Sequence, residues 1–394
     1  MRILHVIGGV APRYGGPSAV LPALCRAVMD RGHSVEVFTT DINGPGRLPV
    51  PIGRPISWQG VTTTVYRVRR PRAYALAPAL GLALRRVREF DIVHVHSLYR
   101  FHLLAAALWC ARWGVPYVVR PHGSLNPYHR AVHRARKAVS ELFVERRALN
   151  RAAAVHCTSQ AEAEAVSAFG VRAPVVVVPL PVDVAAYARP ADSTNLLRRC
   201  PPLRGRRLVT FLGRVTPKKG VDVLVDAFAR IAPRFPDVML AIAGPDDGHL
   251  AAVRARVRAH GLGDRVPLLG LVTGEDKVAL LQAATVLALP SLDENFALSV
   301  VEALAAGTPV VVSPGVALHQ EIAAAEAGLV APRSPEGVAR ALETLLAEPH
   351  LAARRGANGQ ALAVRRFAPE RVGERLEALY RAAQAARAKR QAEA

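Results

Sequence analysis

Cysteine is scarce: Cys25, Cys110, Cys157 and Cys200 stand far apart in 394 residues and fit no metal or redox spacing. That excludes a disulfide framework and a cysteine-based zinc module, and leaves buried free thiols in a reducing compartment. No run of about 18 uncharged apolar residues occurs, so no membrane span is expected. The longest candidate, 103–119, is broken by Arg112 and reads as helix, turn and strand. The first apolar run follows Arg2 and is interrupted by glycines and Arg13. It reads as a strand and not as a secretory leader, so the expected location is cytoplasmic, including the inner face of a membrane. No Asp-x-Asp closes a strand, and no His/Cys/carboxylate cluster has ligand spacing, so no metal or other cofactor is expected. Aromatics are only 5%, with no stacked-aromatic motif or recognition helix, so no nucleic-acid partner is expected despite the charge.

Acidic residues are also in short supply, 31 against 52 basic ones. The imbalance is uneven. Residues 1–200 hold 27 Lys/Arg and 11 Asp/Glu, a net of +16, and the remainder 25 and 20, a net of +5. Such a field attracts polyanions or anionic membrane, unless arginine is merely scattered over the surface. The segment Tyr128 to Arg151 concentrates it: Arg130, Arg134, Lys137, Arg147 and Arg151 lie among Val132, Val139, Leu142 and Phe143. Helical spacing separates an apolar stripe from a cationic face. The expectation is a helix whose apolar side packs on its own sheet, with weak attraction to an anionic membrane surface.

What is abundant is apolar residues, 51% of the chain, in strand-length runs alternating with helical periodicity. That pattern predicts repeated βα units and parallel sheets covered on both faces. Strands are expected at 3–7, 34–39, 92–95, 117–119, 153–156 and 175–178. After a proline-rich interruption they resume at 208–212, 238–243, 266–269, 285–289 and 310–312. The fold class is α/β, with two doubly wound Rossmann-like domains. Their expected bounds are 1–180, a linker 181–206, 207–368, and a terminal helix 369–394.

Four loops carry candidate chemistry. In Pro290-Ser291-Leu292-Asp293-Glu294-Asn295-Phe296-Ala297-Leu298 an apolar strand empties into a polar loop bearing Glu294, and a helix then carries Glu302. Two hydrogen-bond acceptors beside a helix N-terminus suit hydroxyls next to an anion. Leu212-Gly213-Arg214-Val215-Thr216-Pro217-Lys218-Lys219-Gly220 follows the first strand of the second domain. Arg214 offers a planar fork and Lys219 a mobile point charge, complementary ways to hold phosphate oxygens. Gly15 and Gly16 sit in a glycine-rich first loop, where backbone can approach a ligand closely. His122, in Arg120-Pro121-His122-Gly123, stands at a strand's carboxyl end. His94 and His96 are expected to be structural, one of them packed inside and bonded to backbone.

These segments resemble the retaining glycosyltransferases of family four, which have the GT-B architecture. The run from Glu294 to Glu302 is similar to their E-x7-E signature, continued by Ala306-Gly307-Thr308-Pro309, and 213–220 is similar to their G-R-x-x-x-x-K-G segment. The resemblance implies a metal-independent enzyme moving a sugar, with retention, from a nucleotide-diphosphate sugar to a hydroxyl acceptor, lipid-linked glycans included. The setting it implies is polysaccharide or glycolipid assembly. It implies that Glu294, Asn295, Phe296, Ala297, Leu298 and Glu302, with Arg214 and Lys219, hold the donor. Gly15 and Gly16 face its phosphate, and His122 contacts its sugar. Ligands would bind at the carboxyl ends of the strands, between the domains. This chain departs from the family in having Asn295 and Ala297 where glycine is usual, which places an extra methyl near the pocket. The alternative within enzymes is a nucleotide-sugar epimerase of similar shape.

Overall fold

The computed structural model describes residues 1–126 and 134–392; the expected helix start at Tyr128, with Arg130 and Val132, lies outside them. The chain divides into two compact units, Met1–Pro181 with Pro369–Ala394, and Val182–Ala368.

The first unit contains β1 (Arg2–Ile7), β2 (Ser34–Thr40), β3 (Ile42–Asn43), β4 (Gly46–Arg47), β5 (Pro55–Trp58), β6 (Val61–Tyr66), β7 (Ile92–His96), β8 (Tyr117–Arg120), β9 (Ala154–Cys157) and β10 (Val175–Val177). Eight form one sheet in the order β10-β9-β8-β7-β1-β2-β6-β5, and β3 pairs with β4 separately. The large sheet is parallel except where β5 meets β6. Central strands β7, β8 and β9 are buried along their whole length, as a sheet covered on both faces requires.

The β5–β6 ribbon was not predicted. Its signal is the run Val61-Thr62-Thr63-Thr64-Val65-Tyr66, after Gln59 and Gly60 with φ +48° and +83°. A two-residue hairpin loop of that geometry matches the strand twist.

The helix Pro369–Ala392 belongs to the first unit. It lies against the helix Gly16–Met29, where a Cβ on Gly373 would come within 2.2 Å of the Ala27 carbonyl oxygen. Only glycine permits that approach. Glu377 then bridges Arg31 and Arg381, which hold its carboxyl down to about 2.

The second unit contains β11 (Arg207–Leu212), β12 (Val238–Ala243), β13 (Leu268–Gly270), β14 (Ala284–Leu289), β15 (Val310–Val312) and β16 (Gly328–Val330), all parallel, in the order β13-β12-β11-β14-β15-β16. The central order reverses at β11, which β12 and β14 flank. That is the switch point where open α/β sheets leave a crevice at their carboxyl ends.

Residues 181–206 are not the irregular linker expected. From Val182 they are part of the second unit, with helices Val184–Ala188 and Thr194–Arg199. Tyr187 and Leu196 are buried, and Gln282 donates to the Tyr187 and Arg189 carbonyls at 2.8 and 2.7 Å. The prolines there punctuate short helices instead of preventing them.

Candidate active site

In the second unit, the loop after β11 and the loop after β14 lie in contact. Pro217–Lys219 forms one tight helical turn, and Gly220 leaves it at φ +69°. A Cβ on Gly220 would stand 2.2 Å from the Pro290 carbonyl oxygen, so glycine lets the basic turn seat against the exit of β14. The Lys218 carbonyl then accepts from the Leu292 N–H at 2.8 Å and the Ser291 hydroxyl at 3.1 Å. Backbone registration therefore aligns two lysines with two carboxylates. Lys219 Nζ lies 2.6 Å from Glu294 Oε1, and Lys218 Nζ 2.9 Å from Asp293 Oδ2. Glu294 is pinned on its far side as well. Its N–H donates to Gly315 at 2.8 Å and its carbonyl accepts from Ala317 at 2.9 Å.

The helix Leu298–Ala305 follows. Glu302 Oε1 lies 2.7 Å from Lys277 Nζ. Burial and Glu302 together push the Tyr187 phenol up, and Lys277 stands over the Tyr187 ring at 5.5 Å. Neither Lys277 nor Tyr187 has a local sequence signal; both reach Glu302 only through the fold.

Other candidates fall differently. Arg214 starts the same basic loop, but its guanidinium is engaged by Asp247 at 2.6 Å. Asp246 caps the helix Leu250–Ala259 by accepting from three backbone N–H groups, which pull its carboxyl down. Asn295 and Leu298 are partly exposed. Phe296 is not a surface group: its ring is buried edge-on against Phe367, 5.7 Å between centroids. Only its backbone is left for a ligand. Ala297 is also buried, 5% exposed, with φ +58°. Its methyl therefore does not stand open in a pocket. The departure from glycine costs backbone strain instead.

In the first unit, Gly15 has φ +67° and begins the helix Gly16–Met29; nothing lies within 4 Å of a Cβ built on either glycine. The space above that helix start is open. His122 sits in the left-handed region at φ +57°, an uncommon state for a non-glycine residue that recurs at functional sites. Its Nε2 is 3.2 Å from His96 Nδ1, and His96 Nε2 is 2.9 Å from His5 Nδ1.

His94 and His96 differ from expectation. Spaced two apart on β7, both point to one face and both are buried, and their partners are not backbone. His94 Nδ1 meets the Tyr380 hydroxyl at 2.8 Å, and His94 Nε2 meets His156 Nδ1 at 3.3 Å. Sequence spacing could not show this cluster, because β1, β7, β9 and the last helix each supply a part. Burial first, then the nearby Arg120 guanidinium, holds His5 and His156 down to about 3. Burial and the same arginine keep His122 well below the ordinary imidazole value. Nitrogens of His5, His94 and His96 lie within 4.8 Å of one another. Only His5 and His96 of the three are hydrogen-bonded to each other, while His94 stacks on His96 with 4.5 Å between ring centroids, and buried Arg120 opposes a cation there.

The architecture and these loops define a class: an α/β enzyme of two doubly wound parallel units, with a matched set of charges at a strand switch point. Residues 197–362 match the family model for glycosyl transferases group 1, and residues 15–181 a glycosyl transferase 4-like domain. The D-inositol 3-phosphate glycosyltransferase of Jonesia denitrificans is 30% identical over 367 residues, covering 86% of this chain and 84% of the relative. A GDP-mannose-dependent alpha-(1-6)-phosphatidylinositol dimannoside mannosyltransferase of Mycobacterium tuberculosis is 29% identical over 378 residues, 92% of each. Among solved structures, sucrose-phosphate synthase of Thermosynechococcus elongatus has TM-score 0.79 at 24% identity, covering 98% of this chain and 99% of that one. Anabaena HepE, solved with UDP and glucose, has TM-score 0.77 at 22% identity, covering 96% and 98%. The chain belongs to the group 1 glycosyltransferases and has their GT-B fold. It is a glycosyltransferase, and the epimerase alternative finds no support in these relatives.

Proposed function

We propose that this enzyme transfers a glycosyl group from a nucleotide-diphosphate sugar to a hydroxyl, with retention at the anomeric carbon and without a divalent metal. The observation that carries the reading is the 2.6 Å contact of Lys219 with Glu294, at the carboxyl ends of adjacent strands β11 and β14. A cation and a hydroxyl acceptor are thereby fixed side by side, next to the start of the helix Leu298–Ala305. Relatives that use GDP-mannose and a neighbour that holds UDP support a nucleotide-sugar donor. The acceptor class suggested by the relatives' names is a polyol hydroxyl, free or lipid-borne.

In this reading Glu294 accepts from sugar hydroxyls and Glu302 from the ribose. Lys219 and Arg214 meet the charge that grows on the diphosphate as the glycosidic bond breaks. The partial positive charge at the start of the helix adds to theirs. A departing phosphate oxygen takes the acceptor's proton, so attack and departure share one face of the sugar. His122, Gly15 and Gly16 remain the first unit's candidates for ligand contact.

The experiment is a thermal-shift scan over UDP-, GDP- and ADP-sugars, since binding to the native state raises apparent stability. One donor should stabilise the parent and not Lys219→Ala. Shifts equal in both proteins would remove Lys219 from the site. The anomeric configuration of the product, read by NMR, tests retention, and turnover in excess EDTA tests independence from metal.

A further inference from the structure

The basic segment expected to pack its apolar side inward does the opposite. Residues Arg134–Ser140, a wide π-type turn Glu141–Glu145 and Arg146–Arg151 run as one continuous helical stretch. Val139, Leu142 and Phe143 are 62%, 62% and 57% exposed. Spaced three and four apart, they form one outward stripe.

The side facing the protein is built instead from Glu141, Glu145, Ala148 and Leu149, all buried. Tyr99 draws the two carboxylates in. Its hydroxyl donates to Glu141 at 2.7 Å and its backbone N–H to Glu145 at 3.1 Å. The only acidic groups of the stretch are thereby withdrawn from the surface, while Arg146, Arg147 and Arg151 stay exposed.

We propose that this face docks on an anionic lipid surface, with Val139, Leu142 and Phe143 entering the headgroup boundary and Arg147 and Arg151 meeting lipid phosphates. Apolar insertion flanked by cations is the chemistry such a surface rewards. The surrounding charge agrees: the first unit holds 30 Lys/Arg against 13 Asp/Glu, a net of +17, and the second 22 against 18, a net of +4. A second copy is the weaker occupant, because a two-fold contact would set these arginines against their own counterparts. The inference is independent of the donor chemistry proposed above, since its readout is binding and not turnover.

The test is co-sedimentation of the full chain with vesicles of phosphatidylcholine alone, or with about a third phosphatidylglycerol. Binding is expected only to the anionic vesicles. The double variant Leu142→Gln/Phe143→Gln should weaken it by about tenfold or more, and Arg147→Gln by about fivefold. Because all three side chains are exposed, thermal unfolding should be unchanged in each variant. Three results would overturn the proposal: no binding by the parent, equal binding by the double variant, or a parent dimer that the double variant abolishes while vesicle binding persists.

Discussion

The two units handle polar groups on or just beyond their central strands in opposite ways. The second sets permanent charges in matched pairs, Lys219 with Glu294, Lys218 with Asp293 and Lys277 with Glu302, each partly open to solvent. The first lines the face of β1, β7 and β9 with imidazoles that are fully buried and held neutral. Paired charge at a partly wet surface is inexpensive and ready for an anion. Buried imidazole tolerates its surroundings only while uncharged. The first unit is therefore the acid-sensitive one, and the second the one whose charges can be exchanged with modest effect on folding.

Lowering the pH gives the largest contrast. His5 and His156 titrate at about 3 and His102 at about 4 in the folded state, against about 6.5 unfolded. Their folded values are depressed, so below pH 6.5 the unfolded chain takes up protons that the native chain refuses. Stability is complete above 6.5 and falls as pH drops towards 4. From pH 7.5 to 5.5 these three together lose about 4 kcal/mol. None of the second unit's histidines, His249, His260, His319 and His350, is buried. Limited proteolysis at pH 5.5, read by mass spectrometry, should cut residues 1–181 well before 182–368. Simultaneous cleavage would remove the contrast.

Next in size is the loss of one charge from the second unit. Lys219→Ala should lower kcat/KM by about thirty- to a thousandfold, or about 2–4 kcal/mol, with little change in unfolding temperature. Full turnover in the purified variant would strike Lys219 from the mechanism.

How much of this was legible in the sequence follows the same division. The second unit's site lies in two short loops, each preceded by an apolar strand, so Arg214, Lys219, Glu294 and Glu302 could be singled out locally. What was not legible was commitment: Arg214 is engaged by Asp247, thirty-three positions away, and Phe296 turns inward to Phe367. Among the strands, continuous apolar runs were legible even at three residues, as in β10 and β15, and strands without such a run were not. β16 is three residues beginning with Gly328, and β5 alternates exposed and half-buried positions with proline at its start. The first unit's imidazole cluster draws on residues from 5 to 380, and no spacing rule spans that separation.

A smaller effect belongs to the first unit. Tyr380→Phe keeps the ring, the largest of the fully buried side chains, and deletes only the hydroxyl 2.8 Å from His94 Nδ1. A buried nitrogen left without its partner costs about 1–3 kcal/mol, so Tm should fall by about 2–12 °C. An unchanged Tm would mean that His94 is satisfied by another group and that the cluster is less closed than its geometry indicates.

The smallest effect sharpens the comparison, because each unit holds one non-glycine residue in the left-handed region of a candidate loop: His122 at φ +57° and Ala297 at φ +58°. His122 cannot be cut back cleanly, since its ring is bonded to His96. Ala297 can. An L-residue in that conformation costs about 1–2 kcal/mol, and glycine returns about 0.4–1 kcal/mol of that through the entropy of the unfolded chain. Ala297→Gly should therefore stabilise the second unit by about 0.5–1 kcal/mol, a rise of about 1–4 °C in Tm. A fall instead would show that the buried methyl contributes packing worth more than the strain. The alanine would then be a wedge holding the start of the helix Leu298–Ala305 in place, and not a tolerated substitute for glycine.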